Sequence, residues 1–303
     1  MKVLAIGLHR VEFGRVPIAI SGFTLVRNAS LLDFPVEASI RSLLPVVDEC
    51  VVNVGASEDD TLLRVRKIAN PKLRIIESDW DDTLGPAMLA IETERARAAC
   101  SGRWGIAIQA DEVFADGAAE RLADAIAAVD GDAMVEGVVV DFRHFYGDCN
   151  TIATGRGWYR RECRAIRLDP AHQIHSFRDA QGFRVGPTDR RIRCRAADAV
   201  MHHYGWARPA WALKAKRAAD RVIYPWRRLA DQARPLLPWQ PGLRAFKDKH
   251  PMVIREWIEN RRDSAAAVAA PAFRAKHLVQ MASLLVEEIT GWRPFEYRNY
   301  EVR

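Results

Sequence analysis

No stretch of the chain approaches the roughly 20 consecutive apolar residues of a membrane-spanning helix, and the apolar run in its opening MKVLAIGLHR is too short for an export signal. A cytoplasmic protein that is not threaded through a bilayer is expected. Cysteine is sparse: Cys50, Cys100, Cys149, Cys163 and Cys194 lie far apart with no C-x-x-C pair. That spacing excludes a zinc ribbon and gives no disulfide framework, so reduced thiols are the simpler account. The common phosphate-binding signatures are also missing. There is no G-x-G-x-x-G and no G-x-x-x-x-G-K-[ST], no G-x-S-x-G nucleophile elbow, and no internal repeat.

What is present describes an ordinary globular protein. At 303 residues, 49% hydrophobic and 28% charged, the chain can bury a core of one enlarged domain or two modest ones and has no compositional reason to be disordered. Its formal charge of +6 favours an anionic partner: a phosphate ester, a nucleic acid or an anionic membrane surface. The arginines gather at Arg156, Arg160, Arg161, Arg164 and Arg167 and again at Arg190, Arg191, Arg193 and Arg195, and a solvated arginine-rich face explains such clusters as readily as a binding site.

The order of elements says more. Ile18–Val26 reads as a strand that ends at Asn28. Pro35 opens a helix carrying Val36, Ile40, Leu43, Leu44 and Val47, with Pro45 at its end. Glu49–Val54 is the next strand, and Ser57 to Thr61 reads as a helix start in which Ser57 is the cap and Asp60 its partner three residues on. Strands at Leu73–Ile76 and Gly105–Gln109 flank a helix over Leu84–Cys100. Alternation of this kind predicts a parallel sheet with ligands beyond the carboxyl ends of its strands, so the loops at Asn28, 55–59, 79–82 and 109–112 should share one rim. After a helix over Asp116–Val129 come strand-like stretches at 135–142, 158–168 and 190–195, and from Ala207 the chain reads as mostly helical, with a proline-punctuated segment at Arg234–Pro251 and an alanine-rich patch at Ser264–Ala270.

Gln109-Ala110-Asp111-Glu112 is the most informative short string. A carboxylate at the end of a strand can hold Mg²⁺ or Mn²⁺, which prefer oxygen ligands and bridge them to a diphosphate; it can equally be an acidic loop that caps the next helix. Read with Ser21–Asn28 (SGFTLVRN), Val51–Thr61 (VVNVGASEDDT) and His203–Arg208 (HYGWAR), the string resembles the family 2-like glycosyltransferases of the GT-A fold in order and approximate spacing. Trp158–Glu162 and Asp179–Phe183 are similar to a bacterial subgroup, and the likeness spans about residues 18 to 260.

The resemblance implies an α/β fold with a donor-binding half at 1–130, an α+β acceptor half of the same domain at 131–206, and a helical C-terminal extension at 207–303. It implies transfer of a sugar, with inversion, from a nucleotide-sugar donor to a glycan or lipid-linked acceptor, with a divalent metal, Mn²⁺ or Mg²⁺, stabilising the leaving diphosphate. Asp111, with Glu112 and the late His203 in a His-Tyr-Gly-Trp turn, would be the metal ligands, and His202 is a neighbour easily mistaken for His203. Asn28, Ser57, Gln109, Asp111 and Arg208 would line the donor site. Asp179 would be the base, with Glu136 and Asp141 as rivals better suited to ion pairs with arginines. Two departures stand out: Gln109 replaces the first acid of an Asp-x-Asp motif, and no aspartate lies near Val54 or Gly55 to pair with the base, leaving Asp79 to take over. A nucleotidyltransferase or metal-dependent phosphohydrolase on a similar sheet is the nearer alternative. A basic nucleic-acid-binding protein is the remoter one, because Asp81, Asp82, Asp111 and Glu112 would repel phosphates and no nucleic-acid partner is expected. The basic stretch Lys214–Arg228 suggests a peripheral contact with an anionic membrane.

Overall fold

A computed structural model describes residues 19–226, 237–261, 266, 268–294 and 296–303. The expectations for the first 18 residues, for the end of Lys214–Arg228, for the start of Arg234–Pro251 and for residues 264, 265 and 267 of Ser264–Ala270 lie outside them.

The first half runs β1 (Ile20–Val26), α1 (Val36–Leu43), β2 (Glu49–Gly55), α2 (Thr61–Arg66), β3 (Leu73–Ser78), α3 (Ala87–Ala98) and β4 (Trp104–Ala107). All four strands are parallel, in the order β3-β2-β1-β4, as the alternation predicts. Helices cover both faces, which is why β1 and β2 are buried along almost their whole length, the polar Ser21, Thr24 and Asn53 included. The fit is close at Gly22, where an added Cβ would stand 2.6 Å from Leu43 Cδ2 of α1.

The start of α2 differs from expectation. The helix opens at Thr61, and Ser57 caps nothing: its Oγ donates to the Gly55 carbonyl (2.8 Å) and accepts from the Asn28 amide (3.1 Å). Asp59 takes the organising role, accepting from the amides of Ser30 and Leu31 (both 2.8 Å) and of Thr61 (3.0 Å). A carboxylate that accepts several backbone N–H bonds outcompetes the hydroxyl for them, and two loops of the sheet rim are tied together as a result.

The second half adds β5 (Glu112–Phe114), α4 (Ala118–Val129), β6 (Gly137–Tyr146), β7 (Thr151–Ala153), β8 (Arg161–Arg167), β9 (Ile174–Phe177), β10 (Gly182–Val185) and β11 (Arg190–Trp206). The sheet continues from β4 through antiparallel β8 and β6 to β11, which lies parallel to β6, and then to β10 and β9. The mixed α/β class is the one expected. The HYGW string is not a turn: β11 runs on for 17 residues to Trp206, with irregularities between Ala196 and Val200 and between His203 and Trp206. Those bulges bend the strand and let one element serve both the sheet and the site.

The last third is helical at α5 (Ala210–Ile223), α6 (Arg255–Glu259) and α7 (Ala275–Thr290), yet it also returns two short strands to the sheets, β12 (Leu243–Ala245) beside β7 and β13 (Tyr300–Val302) beside β11. No described helix is long and apolar enough to cross a membrane.

Candidate active site

A cavity of about 1220 Å³ opens beyond the carboxyl ends of β1 and β4, lined by Leu25–Asn28 and Gln109–Asp111 on one side and by β6, β11, α5 and the start of α7 on the other. Its volume exceeds the roughly 300–1,000 Å³ of a typical small-ligand pocket, which leaves room for two substrates.

The pairing of β5 with β11 assembles its centre. Their antiparallel register sets Glu112 opposite His203, and the Tyr204 amide donates to the Asp111 carbonyl at 2.8 Å. Two strings about ninety positions apart in sequence are therefore locked side by side, and His203 Nε2 stands 3.8 Å from Asp111 Oδ2. Strand alternation separates the adjacent histidines: His202 is buried with Tyr204, Phe145 and His250 on the other side of the strand, whereas His203 lines the cavity. Gly205 completes the geometry. A Cβ there would lie 2.5 Å from His203 Nε2 and 2.9 Å from Asp111 Oδ2, so only glycine leaves the two functional atoms their space.

A chain of hydrogen bonds fixes which nitrogen of His203 carries a proton. His144 is buried, and burial pushes its pKa well below the ordinary value, so it is neutral. His144 Nε2 lies 2.7 Å from the Tyr159 carbonyl oxygen, which can only accept, so Nε2 bears the hydrogen and Nδ1 a lone pair. His203 Nδ1, 3.0 Å from His144 Nδ1, is then the donor. Burial lowers the pKa of His203 as well, and neutral His203 is left with its Nε2 lone pair on the Asp111 side.

Burial would raise the Asp111 carboxyl, but the positive charge around it more than offsets this and holds it below the usual carboxylate range. With His203 neutral, Arg208 is the charge that keeps Asp111 ionised, through a bond of 2.8 Å from Nη2 to Asp111 Oδ2. Arg208 is itself buried over the Phe34 ring (4.3 Å), donates to the Leu32 carbonyl, and leaves its Nε without a partner. It does not line the cavity, contrary to its expected place beside the donor.

The residues present fit a divalent cation. Two ligands each about 2.1 Å from one ion lie roughly 3 to 4.2 Å apart, a range that contains the observed 3.8 Å, and the donor set is one carboxylate oxygen and one unprotonated imidazole nitrogen. Among the described residues no group of three or more His, Cys, Asp or Glu side chains forms a metal cage, so substrate oxygens and water would complete the shell, as Mg²⁺ and Mn²⁺ commonly require. Glu112, expected as a further ligand, is committed elsewhere. It is fully buried, forms a two-point ion pair with Arg164 (2.5 and 2.9 Å) and accepts from the Gln109 amide at 3.0 Å.

Around this centre the remaining expected residues divide. Gln109 lines the cavity and donates from Nε2 to the Ala180 carbonyl at 3.3 Å; an aspartate there would set oxygen against oxygen, so the departure from Asp-x-Asp has a local reason. That contact steadies the loop of Asp179, which lines the cavity and accepts from Tyr224 Oη at 3.0 Å and Gln181 Nε2 at 3.3 Å. Arg178 and Ala180 on either side of it have φ of 55° and 60°, a left-handed conformation that is costly outside glycine and that turns the intervening side chain inward. Asn28 lines the cavity at φ 55°, its Oδ1 accepting from the Glu58 amide at 2.8 Å. Ser57 and Asp79 do not line it. Trp80 enters in place of exposed Asp79, packed against Gly55 and beneath the Arg27 guanidinium (4.9 Å). Glu136 and Asp141 are ion-paired with Arg190 and Arg193 and with Arg161, away from the cavity.

Sequence reasoning missed His144, Lys216, Trp80 and Tyr224. His144 carried a weak signal, because it follows Phe142 by two and so shares its side of β6; the others enter the cavity from elements whose placement no local pattern gives.

No family model matches the chain, and no curated protein matches it. Among solved structures, S. aureus TarS aligns at 14% identity over 71% of this chain and 41% of that one, with a TM-score of 0.41. Its 1–349 fragment aligns at 13% identity over 67% and 64%, with a TM-score of 0.39. Glucosyl-3-phosphoglycerate synthase from Mycobacterium tuberculosis, solved with Mn²⁺, uridine diphosphate and phosphoglyceric acid, aligns at 19% identity over 42% and 43%, with a TM-score of 0.30. Each alignment spans less than two thirds of the solved chain.

Proposed function

We propose that this protein is a glycosyltransferase that moves a sugar from a nucleoside-diphosphate donor to a hydroxyl of a glycan or lipid-linked acceptor. The observation that carries the reading is the pair Asp111–His203, 3.8 Å apart at the carboxyl end of a parallel sheet, with the imidazole lone pair left available by the relay behind it. A bound Mn²⁺ or Mg²⁺ would supply electrostatic stabilisation of the negative charge that develops on the leaving diphosphate. Asp111 and His203 would hold that ion at the sheet rim, Asn28, Trp80 and Gln109 shape the donor side, and Lys216 adds a cation to the same cavity. Asp179 is placed to take the proton of the acceptor hydroxyl, oriented by Tyr224 and Gln181. Direct attack by an acceptor hydroxyl whose proton passes to Asp179 would correspond to inversion.

The test is a thermal-shift panel of nucleotide sugars with and without Mn²⁺. A nucleoside-diphosphate sugar is expected to stabilise the protein only when metal is present, and Asp111→Ala is expected to abolish the effect. Metal-independent stabilisation, or an effect that survives the substitution, would remove the proposal. Product analysis separates the alternatives: a transferase releases a nucleoside diphosphate, a nucleotidyltransferase pyrophosphate, and a phosphohydrolase inorganic phosphate. A contact with an anionic membrane belongs to the same reading for a lipid-linked acceptor, although Lys216 and Arg217 on α5 line the cavity. Failure to sediment with anionic vesicles at low salt would discard it.

A further inference from the structure

Beyond the Asp111–His203 pair the same cavity is lined by Tyr146, Trp158, Trp206 and Trp239 and by the start of α7. One wall is a connected run of aromatic side chains. Trp158 stands 5.0 Å from His144 between ring centroids, Trp206 6.5 Å from Trp158, and Tyr146 5.8 Å from Trp158. Trp158 Nε1 donates to Gln240 at 3.1 Å, and neighbouring Trp239 stacks edgewise on His277 at 5.4 Å. The wall thus leads from His203, through His144, to the first turn of α7.

Cations border it at both ends. Lys216 Nζ lies 5.4 Å from the centre of the Trp206 ring, and Arg217 follows it along α5; at the far end Arg274 and Lys276 line the cavity beside His277. Asp220 is the carboxylate that α5 contributes to the lining. Flat aromatic faces with donors at their edges are the chemistry that receives a sugar ring, whose C–H faces are apolar and whose rim is polar, and clustered Arg and Lys beyond the ring are the chemistry that receives an anion. The donor's diphosphate would not need Arg274 and Lys276, because its charge would be met by the ion held at Asp111 and His203.

Resting on the glycosyltransferase reading, we propose that the acceptor is an anionic sugar, its ring against Trp158 and Trp206 and its phosphate or carboxylate at Arg274 and Lys276. The ring would then stand next to the metal pair, with a hydroxyl within the same cavity as Asp179, and the anion would point outward toward α7.

Calorimetric titration of the full chain with glucose, glucose 6-phosphate, glucuronate and inorganic phosphate tests this. The two charged sugars are expected to bind at least about tenfold more tightly than glucose, and Arg274→Gln with Lys276→Gln to remove that preference. Trp206→Leu is expected to weaken the charged sugars while leaving inorganic phosphate unaffected. Equal affinity for glucose and the charged sugars, a preference that survives the double substitution, or phosphate binding as tightly as glucose 6-phosphate would each overturn the proposal. Thermal denaturation of the variants shows whether they fold. Failure of the donor reading is seen separately, as the absence of Mn²⁺-dependent stabilisation by any nucleotide sugar in the unaltered chain.

Discussion

His144 and His203 face each other through their Nδ1 atoms at 3.0 Å, and only one of the two nitrogens can carry a hydrogen. Because the Tyr159 carbonyl claims the proton on His144 Nε2, the outcome at His203 is decided by a backbone atom fifteen residues from His144 rather than by the solvent. Groups that orient a metal-binding imidazole typically change metal affinity by 10–100-fold when lost. His144→Phe, which fills the space but accepts no hydrogen bond, is expected to weaken Mn²⁺ binding by about 10-fold or more, and His144→Gln, which can still accept, by less. Titration of free Mn²⁺ by electron paramagnetic resonance measures this. Equal affinity in the two variants and the parent would leave His144 with a packing role alone.

Gly205 supplies the next prediction. Its φ is not in the left-handed region, so its role is space rather than backbone freedom. Gly205→Ala is expected to cost about 1–3 kcal/mol of stability, as overpacking does, and to reduce Mn²⁺ affinity, since the methyl group would press on both His203 and Asp111. Urea denaturation and the same Mn²⁺ titration check the two effects. Unchanged stability together with unchanged affinity would mean that the strand shifts freely at this point.

The Arg164–Glu112 pair offers a test of what organises the acidic string. Both side chains are buried, and Arg164 also lies over the Phe142 ring at 5.0 Å. Arg164→Met strands the Glu112 carboxylate and should cost about 3–5 kcal/mol, whereas Arg164→Met with Glu112→Leu should recover most of that loss. Equilibrium denaturation of the single and double variants decides. Additive losses would show that the two charges do not depend on each other.

The protein should also lose stability in two stages on acidification. His202 is held at about 3, chiefly by burial and then by the nearby His250, against an ordinary 6.5. The unfolded chain therefore takes up a proton below pH 6.5 that the native state refuses until about pH 3, and stability declines across that window. Burial alone would raise Glu49, Glu136 and Glu296, but hydrogen bonds prevail and hold each at about 2 against 4.5. For Glu49 they come first from the Ser101 amide and then Arg74; for Glu136 from Arg190 and Arg193; for Glu296 from Arg160 and Arg298. Their contribution is complete above pH 4.5 and is lost as pH falls toward 2. Urea midpoints at pH 7, 5.5, 4 and 3 should fall throughout, more steeply below 4.5, and Glu136→Gln should flatten the lower part. A midpoint constant from pH 6.5 to 4.5 would contradict the assignment of His202.

The sequence was most readable where one element could be judged by itself. Apolar runs in β1, β2 and β4 and the proline before α1 carried their structure locally, and the β-α alternation carried the parallel order. What escaped were consequences of pairing at a distance. β5 is three residues long and exists because β11 is there to receive it, so no periodicity within Glu112–Phe114 could announce it. β11 looked finished at Arg195 because the Ala196–Ala199 stretch breaks the alternation, and the bulge there is what lets the strand continue. At the site, Asp111, His203, Gln109, Asn28 and Asp179 were legible as types in an order. That Glu112 and Arg208 would be consumed by buried ion pairs was not, because sequence records a charge but not the partner that neutralises it.

β11 begins beside the chain's last strand and ends at the cavity: Ile192 to Cys194 pair with Tyr300 to Val302 at one end, and His203 and Gly205 stand at the other. The chain's tail is therefore fastened to the same rod that presents the imidazole, and β13 acts as an anchor for that rod's root. Trimming the last four residues would strip that anchor and leave Ile192 to Cys194 open along one edge, at the end of β11 opposite His203.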